Sequence, residues 1–301
     1  PEDLKQGYKP EPGDEKMWLL MCRRATMETV FRRYAEKQSL ISIISETQVT
    51  GLLSHVEDGQ IVVDGISVQT RGETECQLWS NVLIDAGGRN SKLKNWLRQA
   101  GAAITTEDND AEIVYFTRHY KLLPGVEEPV RGGGKERSSG DLGYIKYGVF
   151  PGDSGHFAVI ACLHKEEKVL HEAIKSSDQF DLICRSIPGL QPWVAADKSE
   201  PTTESFGFGD IHAVWHHFVT DGKPVALNYF AVGDAALRTN PLYGRGCSTG
   251  IIHAHLLADI LAGCSDPLAR ALRFHQQTED ELRPIFKASL AEDKKAIRQA
   301  R

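Results

Sequence analysis

Between Val225 and Val232 the chain is apolar and rich in strand-forming side chains, and Gly233-Asp234 halts it. After a loop bearing proline and glycine, Ile251, Ile252, His255, Leu256 and Ile260 fall near the spacing of one helical face. Residues 225–262 therefore read as strand, loop, helix. Upstream, Met27, Val30, Phe31 and Tyr34 follow the i, i+3, i+4, i+7 stripe of a helix beginning near Thr26, which can cap it, with Glu28 in its first turn. Trp18 to Cys22 is a short strand-like run before it. Residues 40–84 read as strands: LISIIS, then VTGLLSHVE and QIVVDG about the hairpin signal Asp58-Gly59, then LWSNVLIDA ending at Asp85.

Farther along, IVYFTRHYKLL alternates, with Tyr115, Thr117 and His119 on one face and Phe116, Arg118 and Tyr120 on the other. GYIKYGVF and HFAVIACL flank a hairpin at residues 151–155. A charged helical segment from about Lys165 to Ser186 ends at Pro188-Gly189. The tail after residue 263 is helical, with a packing stripe of Leu268, Ala271, Leu272 and His275 and a break near Pro284. It caps its domain or forms a homodimer contact; the pattern does not choose.

Composition narrows the class. The 301 residues, 41% hydrophobic and 25% charged, suffice for one large or two moderate domains. A net charge of -6 argues against a nucleic-acid surface. No apolar run approaches a membrane span, and the first twenty residues show no signal-peptide pattern. The six cysteines are scattered without a CxxC pair, so neither a disulfide framework nor a zinc site is expected, and a cytoplasmic setting is the default. His216-His217 and His253-x-His255 do not share faces at those spacings, so no metal site is expected. HExxH and GxxxxGK are absent.

Two turns carry the candidate chemistry. Gly233 permits close backbone approach, Asp234 places a carboxylate at a strand's C-terminal end, and Pro241, Gly244, Arg245 and Gly246 shape a turn whose amides open the next helix. A polyol can donate to that carboxylate, and the helix start favours an anionic or electron-accepting ring edge. The plainer alternative is a tight connection in which Asp234 caps the helix. In DAGGRNSKLKNWL, Asp85, two glycines and Ser91 form a similar anion-tolerant turn, with Ser91 alternatively a simple cap.

The stretch GDAALRTNPLYGRG resembles the second flavin-binding motif of FAD-dependent monooxygenases of the p-hydroxybenzoate hydroxylase type, near the branch of flavin-dependent halogenases and geranylgeranyl reductases. The resemblance implies that Gly233 and Asp234 hold the ribityl chain and that Pro241, Gly244, Arg245 and Gly246 lie beside the isoalloxazine ring. Leu237, Asn240 and Ser248 depart from the family's usual histidine, proline and asparagine. DAGGRNSKLKNWL is similar to the family's DG motif, with Asp85, Gly88, Arg89 and Ser91 at its matching positions. RRATMETVFRRYAE resembles the arginine and helix that contact the flavin, which makes Arg23 a further contact unless it is a solvated helix-start residue. The WxWxIP motif of tryptophan halogenases is absent.

The resemblance implies a mixed α/β fold: an incomplete FAD-binding Rossmann-like domain with an inserted antiparallel substrate sheet. Its expected parts are residues 1–102 and 221–264 for FAD, 103–220 for substrate and 265–301 as a helical segment. The family's GxGxxG strand-turn-helix has no counterpart here; the glycine run 132–134 reads as a loop, and residues 1–16 as a polar surface segment. A chain lacking that unit is expected to bind FAD weakly, as a fragment or with another polypeptide completing it. The activity implied is hydroxylation of an apolar or aromatic small molecule through a flavin C4a-hydroperoxide, with NAD(P)H as reductant. Arg118 is the candidate for binding an anionic or phenolic group, and His119 and Tyr115 for orienting substrate or relaying a proton. Halogenation, isoprenoid reduction and an inactive fragment are the alternatives.

Overall fold

The computed structural model describes residues 9, 11–16, 20–130 and 136–300, without the side chains of residues 299 and 300. It is a mixed α/β structure whose described residues fall into two compact units. One takes residues up to 41, 115–162 and 168–207; the other takes 42–114, 163–167 and 208–301. This division departs from the expected one. The segment before residue 42 belongs with the large sheet rather than with the flavin-type turns, and the C-terminal helix belongs with the turns.

After a 3-10 turn at Asp14–Lys16 comes α1 (Arg24–Glu36), which starts two residues before the expected place and buries none of its residues. Its stripe of Val30, Phe31 and Tyr34 is exposed. The expected strand at Trp18–Cys22 lies partly outside the described residues, and its remainder, 20–22, is not a strand. Nor is LISIIS: residues 41–45 join no strand among the described residues, and Leu40, Ile41, Ile43 and Ile44 are exposed. An apolar run becomes a strand only where a partner supplies the hydrogen-bond ladder.

A meander follows in β1 (Thr47–Glu57), β2 (Gln60–Thr70) and β3 (Cys76–Trp79), ordered β1-β2-β3, with Asp58 and Gly59 both at positive φ in the hairpin turn. The expected LWSNVLIDA strand is split by Ser80-Asn81 into β3 and β4 (Leu83–Asp85). Next come α2 (Leu93–Gln99), β5 (Thr105–Asp110) and the alternating strand β6 (Ile113–Leu122).

The first unit is built on a six-stranded sheet ordered β10-β6-β9-β8-β7, with β11 also on β6. Its remaining strands are β7 (Ser139–Asp141), β8 (Ile145–Pro151), β9 (His156–His164), β10 (Ser199–Pro201) and β11 (Phe206–Phe208). The expected single helix 165–186 is two, α3 (Lys168–Ile174) and α4 (Ser177–Arg185), followed by α5 (Gln191–Val194). Tyr120 stacks on Phe157 at 5.3 Å, and Phe157 meets Trp193 edge to face at 5.2 Å.

In the second unit, β12 (His212–His217) lies between β5 and the short β16 (Leu237–Arg238), and β13 (Val219–Thr220) pairs with β14 (Lys223–Pro224). The expected strand 225–232 contracts to β15 (Tyr229–Ala231), which runs parallel to β4. Two helices close the chain, α6 (Gly246–Gly263) and α7 (Pro267–Ala300). α7 continues through Pro284 without the expected break. It forgoes the hydrogen bond Pro284 cannot donate, while Leu282 and Phe286 on either side are fully buried. Its packing stripe also differs from expectation: Ala271, Phe274, Thr278, Leu282, Phe286, Ser289 and Asp293 are buried, and Leu268 is exposed. Arg283 fastens this helix, lying 3.8 Å above the Trp215 ring and pairing with Glu107 at 2.6 Å and Glu279 at 2.8 Å.

Candidate flavin site

The parallel pair β4 and β15 brings the two motifs together, in register Leu83 with Tyr229, Ile84 with Phe230 and Asp85 with Ala231. Val232 donates its N–H to the Asp85 carbonyl at 3.0 Å, carrying the pairing one residue further. The 3-10 turns that follow the two strands, Gly88–Asn90 and Gly233–Ala235, touch each other.

Asp85 is 2% exposed, and its carboxylate accepts from Gly87 N–H at 2.9 Å, Ser91 hydroxyl at 2.6 Å and Tyr229 hydroxyl at 2.8 Å. Three donors occupy most of what a carboxylate can accept, so Asp85 shapes the turn from inside. Burial, reinforced by the adjacent Asp85 charge, holds the Tyr229 phenol far above its usual range. A Cβ at Gly87 would lie 3.0 Å from Asp85 Oδ1, which reserves that position for glycine. Ser91 accepts from Leu93 N–H at 3.2 Å at the start of α2. Gly88 has φ +69°, and Arg89 stacks over the Phe208 ring at 4.9 Å.

Asp234 is exposed, and its carboxylate makes no hydrogen bond or ion pair among the described residues. It does not cap α6, whose start at Gly246 has no side-chain cap at all. Gly246 sits beside Asp234: a Cβ there would lie 3.9 Å from Asp234 Oδ1. Gly233 takes φ +56° and donates its N–H to His253 Nδ1 at 3.0 Å.

The intervening loop is held from behind. Asn240 accepts from Leu242 N–H at 3.0 Å and donates to Asp293 at 2.7 Å, Tyr243 hydroxyl donates to Asp293 at 2.9 Å, and Gly244 takes φ +62°. Arg245 turns away from the helix start, donating to the Ile285 carbonyl at 3.0 Å. Pro241 opens the 3-10 turn that Asn240 caps. A carboxylate without a hydrogen bond or ion pair and the uncapped start of a helix, where Gly246 lies beside Asp234, thus adjoin among the described residues, which suits a hydroxylated chain attached to an electron-accepting ring. Arg238 is near it; burial lowers its pKa, with the charges of Asp108 and Asp234 opposing that shift and Arg89 adding to it.

The first unit holds a cavity of about 660 Å³, within the range of small-molecule sites, lined among others by Met21, His119, Phe150, His156, Thr202 and Thr203. His119 stacks on Phe206 at 5.6 Å, and burial together with the neighbouring His156 lowers its pKa. Arg118 does not reach this cavity. It is buried, donates to the carbonyls of Thr203 and Ser177, and pairs with Asp181 at 2.9 Å. Asp181 also accepts from the Tyr120 hydroxyl. The expectation of a pocket-facing guanidinium gives way because the Arg118 face of β6 is the one covered by helix. Tyr115 is buried and is not among the lining residues.

Arg23 lines the cavity, but its guanidinium clasps Asp153, with contacts of 2.6 to 3.1 Å, and its own N–H joins at 2.9 Å. These bonds hold the Asp153 carboxyl well below its ordinary range. Arg24 instead pairs with Glu28. His156, Phe150, Thr202 and Thr203 escaped the sequence reading; the one available signal was their place at strand ends flanking β6 and the 151–155 hairpin. Among the described residues no cluster of metal-ligating side chains forms, no cysteine is in a disulfide, and no helix is long and apolar enough to cross a membrane.

No family model and no curated protein matches the sequence. Solved structures match it in fold. The myxobacterial chondrochloren halogenase CndH, a variant of FAD-dependent halogenases, superimposes with a TM-score of 0.69 at 18% identity over 95% of this chain and 62% of its own. The flavin-dependent brominase Bmp2 gives 0.61 at 20% identity over 91% of this chain and 66% of its own. A probable FAD-dependent monooxygenase from Pseudomonas aeruginosa, pqsL, gives 0.65 at 16% identity over 91% and 70%. The fold is therefore that of FAD-dependent halogenases and monooxygenases. The chain spans slightly less than two thirds of the length of the first two.

Proposed function

We propose that this chain is the part of an FAD-dependent oxidoreductase that holds the ribityl and isoalloxazine portions of the cofactor, and that the enzyme is a monooxygenase acting on an apolar or aromatic small molecule with NAD(P)H as reductant. One observation carries the reading: among the described residues the Asp234 carboxylate makes no hydrogen bond or ion pair, and it lies at the uncapped start of α6, in a fold shared with FAD-dependent enzymes. When bound, the flavin supplies the redox chemistry. Asp234 accepts from ribityl hydroxyls. The free amides at Gly246 and the next residues favour negative charge on the ring edge. The tight Gly244 turn and the missing side chain at Gly246 let the backbone come close.

In the first unit the cavity offers an apolar lining for a substrate, with His119 and His156 as the groups able to hold or move a proton. Arg118 serves there as a structural cation. A halogenating reaction is the second reading, favoured by CndH and Bmp2 among the similar folds.

The test is an FAD titration of the purified chain, followed by flavin absorbance and fluorescence. Saturable binding that Asp234→Ala abolishes or weakens supports the reading, and a chain that leaves FAD free in solution defeats it for this polypeptide. Product analysis with reduced flavin, oxygen and bromide then separates hydroxylation, a mass gain of one oxygen, from halogenation.

A further inference from the structure

We infer that His253 is the positioning residue of the Asp234 turn: its ring, carrying a proton on Nε2, takes the Gly233 N–H on Nδ1 and so fixes the distance between the carboxylate and the start of α6. The inference deepens the flavin-site reading and rests on it for its functional meaning. Its structural half stands separately.

The geometry is specific. Gly233 N–H points at His253 Nδ1 at 3.0 Å, and a ring nitrogen that accepts cannot carry the proton, so the tautomer is set. His253 is 0% exposed, and its ring centre lies 5.6 Å from that of Phe274 on α7. Burial alone lowers its pKa to about 4, so the ring stays neutral and the acceptor stays available at physiological pH. On its far side the Nε2 atom has no hydrogen-bond partner among the described residues, and His253 lines a small cavity of about 40 Å³ together with His216, His275 and Thr278 among others.

The bond lands where it matters for the site. Gly233 is the residue before Asp234, and its φ of +56° lies in the left-handed region, so its amide direction decides where the carboxylate goes. One turn before His253, α6 runs beside this turn: a Cβ on Gly233 would lie 3.8 Å from Gly250 Cα, an ordinary packing distance. The turn and the helix are thus in van der Waals contact at Gly233 and Gly250, and the His253 hydrogen bond ties them there. The same helix supplies the free amides at Gly246. One imidazole thus couples both halves of the proposed flavin surface, and no other hydrogen bond is found between Gly233–Ala235 and α6 among the described residues.

His253→Asn keeps an acceptor at nearly the place of Nδ1, His253→Gln moves it one bond outward, and His253→Leu removes it. In the cofactor-free chain, nitrogen NMR of the ring should show the Nε2–H tautomer. A ring protonated at Nδ1 overturns the inference. Amide exchange at Gly233 should quicken about tenfold in His253→Leu, as for the loss of one hydrogen bond, and stay within about threefold of wild type in His253→Asn. If His253→Leu fails to fold, the Asn and Gln variants decide: slow exchange only in Asn supports the assignment, and equal exchange in both overturns it. The FAD dissociation constant should follow the same order, about tenfold weaker wherever the acceptor is lost. Equal FAD affinity in Asn and Gln variants whose Gly233 exchange differs would overturn the functional half. Absence of FAD binding by the wild-type chain sinks the flavin reading and leaves the tautomer and exchange results to judge the positioning.

Discussion

Asp85, at the end of β4, and Asp234, in the turn after β15, lie at the same end of one parallel strand pair, yet the fold uses them in opposite ways. Asp85 is buried beneath three donors, one of them the Tyr229 hydroxyl from the strand that leads to the other turn. Asp234 is exposed, its carboxylate makes no hydrogen bond or ion pair among the described residues, and its position is set through the backbone of Gly233 by His253. Two carboxylates with similar neighbouring glycines are therefore used differently: the first spends its charge holding the corner together, and the second is left exposed, which is what the proposed flavin site requires of it.

Breaking the first should cost fold, and breaking the second should cost binding. The largest effect is expected from Asp85→Ala, which strands the Tyr229 and Ser91 hydroxyls and the Gly87 N–H: a loss on the order of 3–5 kcal/mol in urea unfolding. Asp85→Asn, which keeps acceptor capacity, should lose roughly half of that. A stable Asp85→Ala protein would refute the division.

Acid should come next. His253, and His216 on β12, are each lowered from 6.5 to about 4 by burial, so between those values the unfolded chain binds the extra protons. Unfolding free energy then rises with pH in that window. The stability is present above about 6.5 and is lost toward pH 4, by about 3 kcal/mol for each ring. His217 and His275 line the same cavity, while Lys94, Arg238 and Arg98 add to the lowering at His216 and Asp108 opposes it. Urea midpoints at several pH values should show a slope in His253→Asn reduced to about half of wild type in this window. An unchanged slope would remove His253 from the account.

Asp234→Ala should leave stability within about 0.5 kcal/mol, the range of ordinary surface changes, and weaken FAD about 10- to 100-fold through lost charge-assisted bonds. A variant that binds FAD like wild type would erase the contrast. The smallest effect belongs to Arg23→Ala. The Arg23–Asp153 clasp is solvent-exposed, so the melting temperature should move by less than about 2 °C, while amide exchange in the 152–156 hairpin quickens. A large drop in melting temperature would show that this exposed pair carries the hairpin.

Legibility tracked distance along the chain. Strand, turn and helix at 225–262 were readable because all three lie within one continuous stretch, and the β1–β2 hairpin because Asp58-Gly59 fits a turn with two positive φ values. Alternation in β6 gave its two faces correctly and could not say which one meets a cavity. That choice belongs to α4, from which Asp181 reaches Arg118. LISIIS has strand composition without a strand partner among the described residues, and Pro284 has a breaker's chemistry inside a helix that continues through it, with Leu282 and Phe286 buried on either side.

By itself, the sequence determined the strand-turn-helix unit at 225–262, the β1–β2 hairpin, the placing of two carboxylates near strand ends beside glycines, and the likeness to flavin enzymes, because each is carried by neighbouring residues and local backbone preference. Only the tertiary structure decided which carboxylate is consumed and which is free, that His253 reads Gly233 across 20 residues, and that His156 and Thr203 share a cavity with His119. Those outcomes depend on which donors burial brings within 3 Å of each acceptor, and burial is a property of packed elements rather than of any one segment.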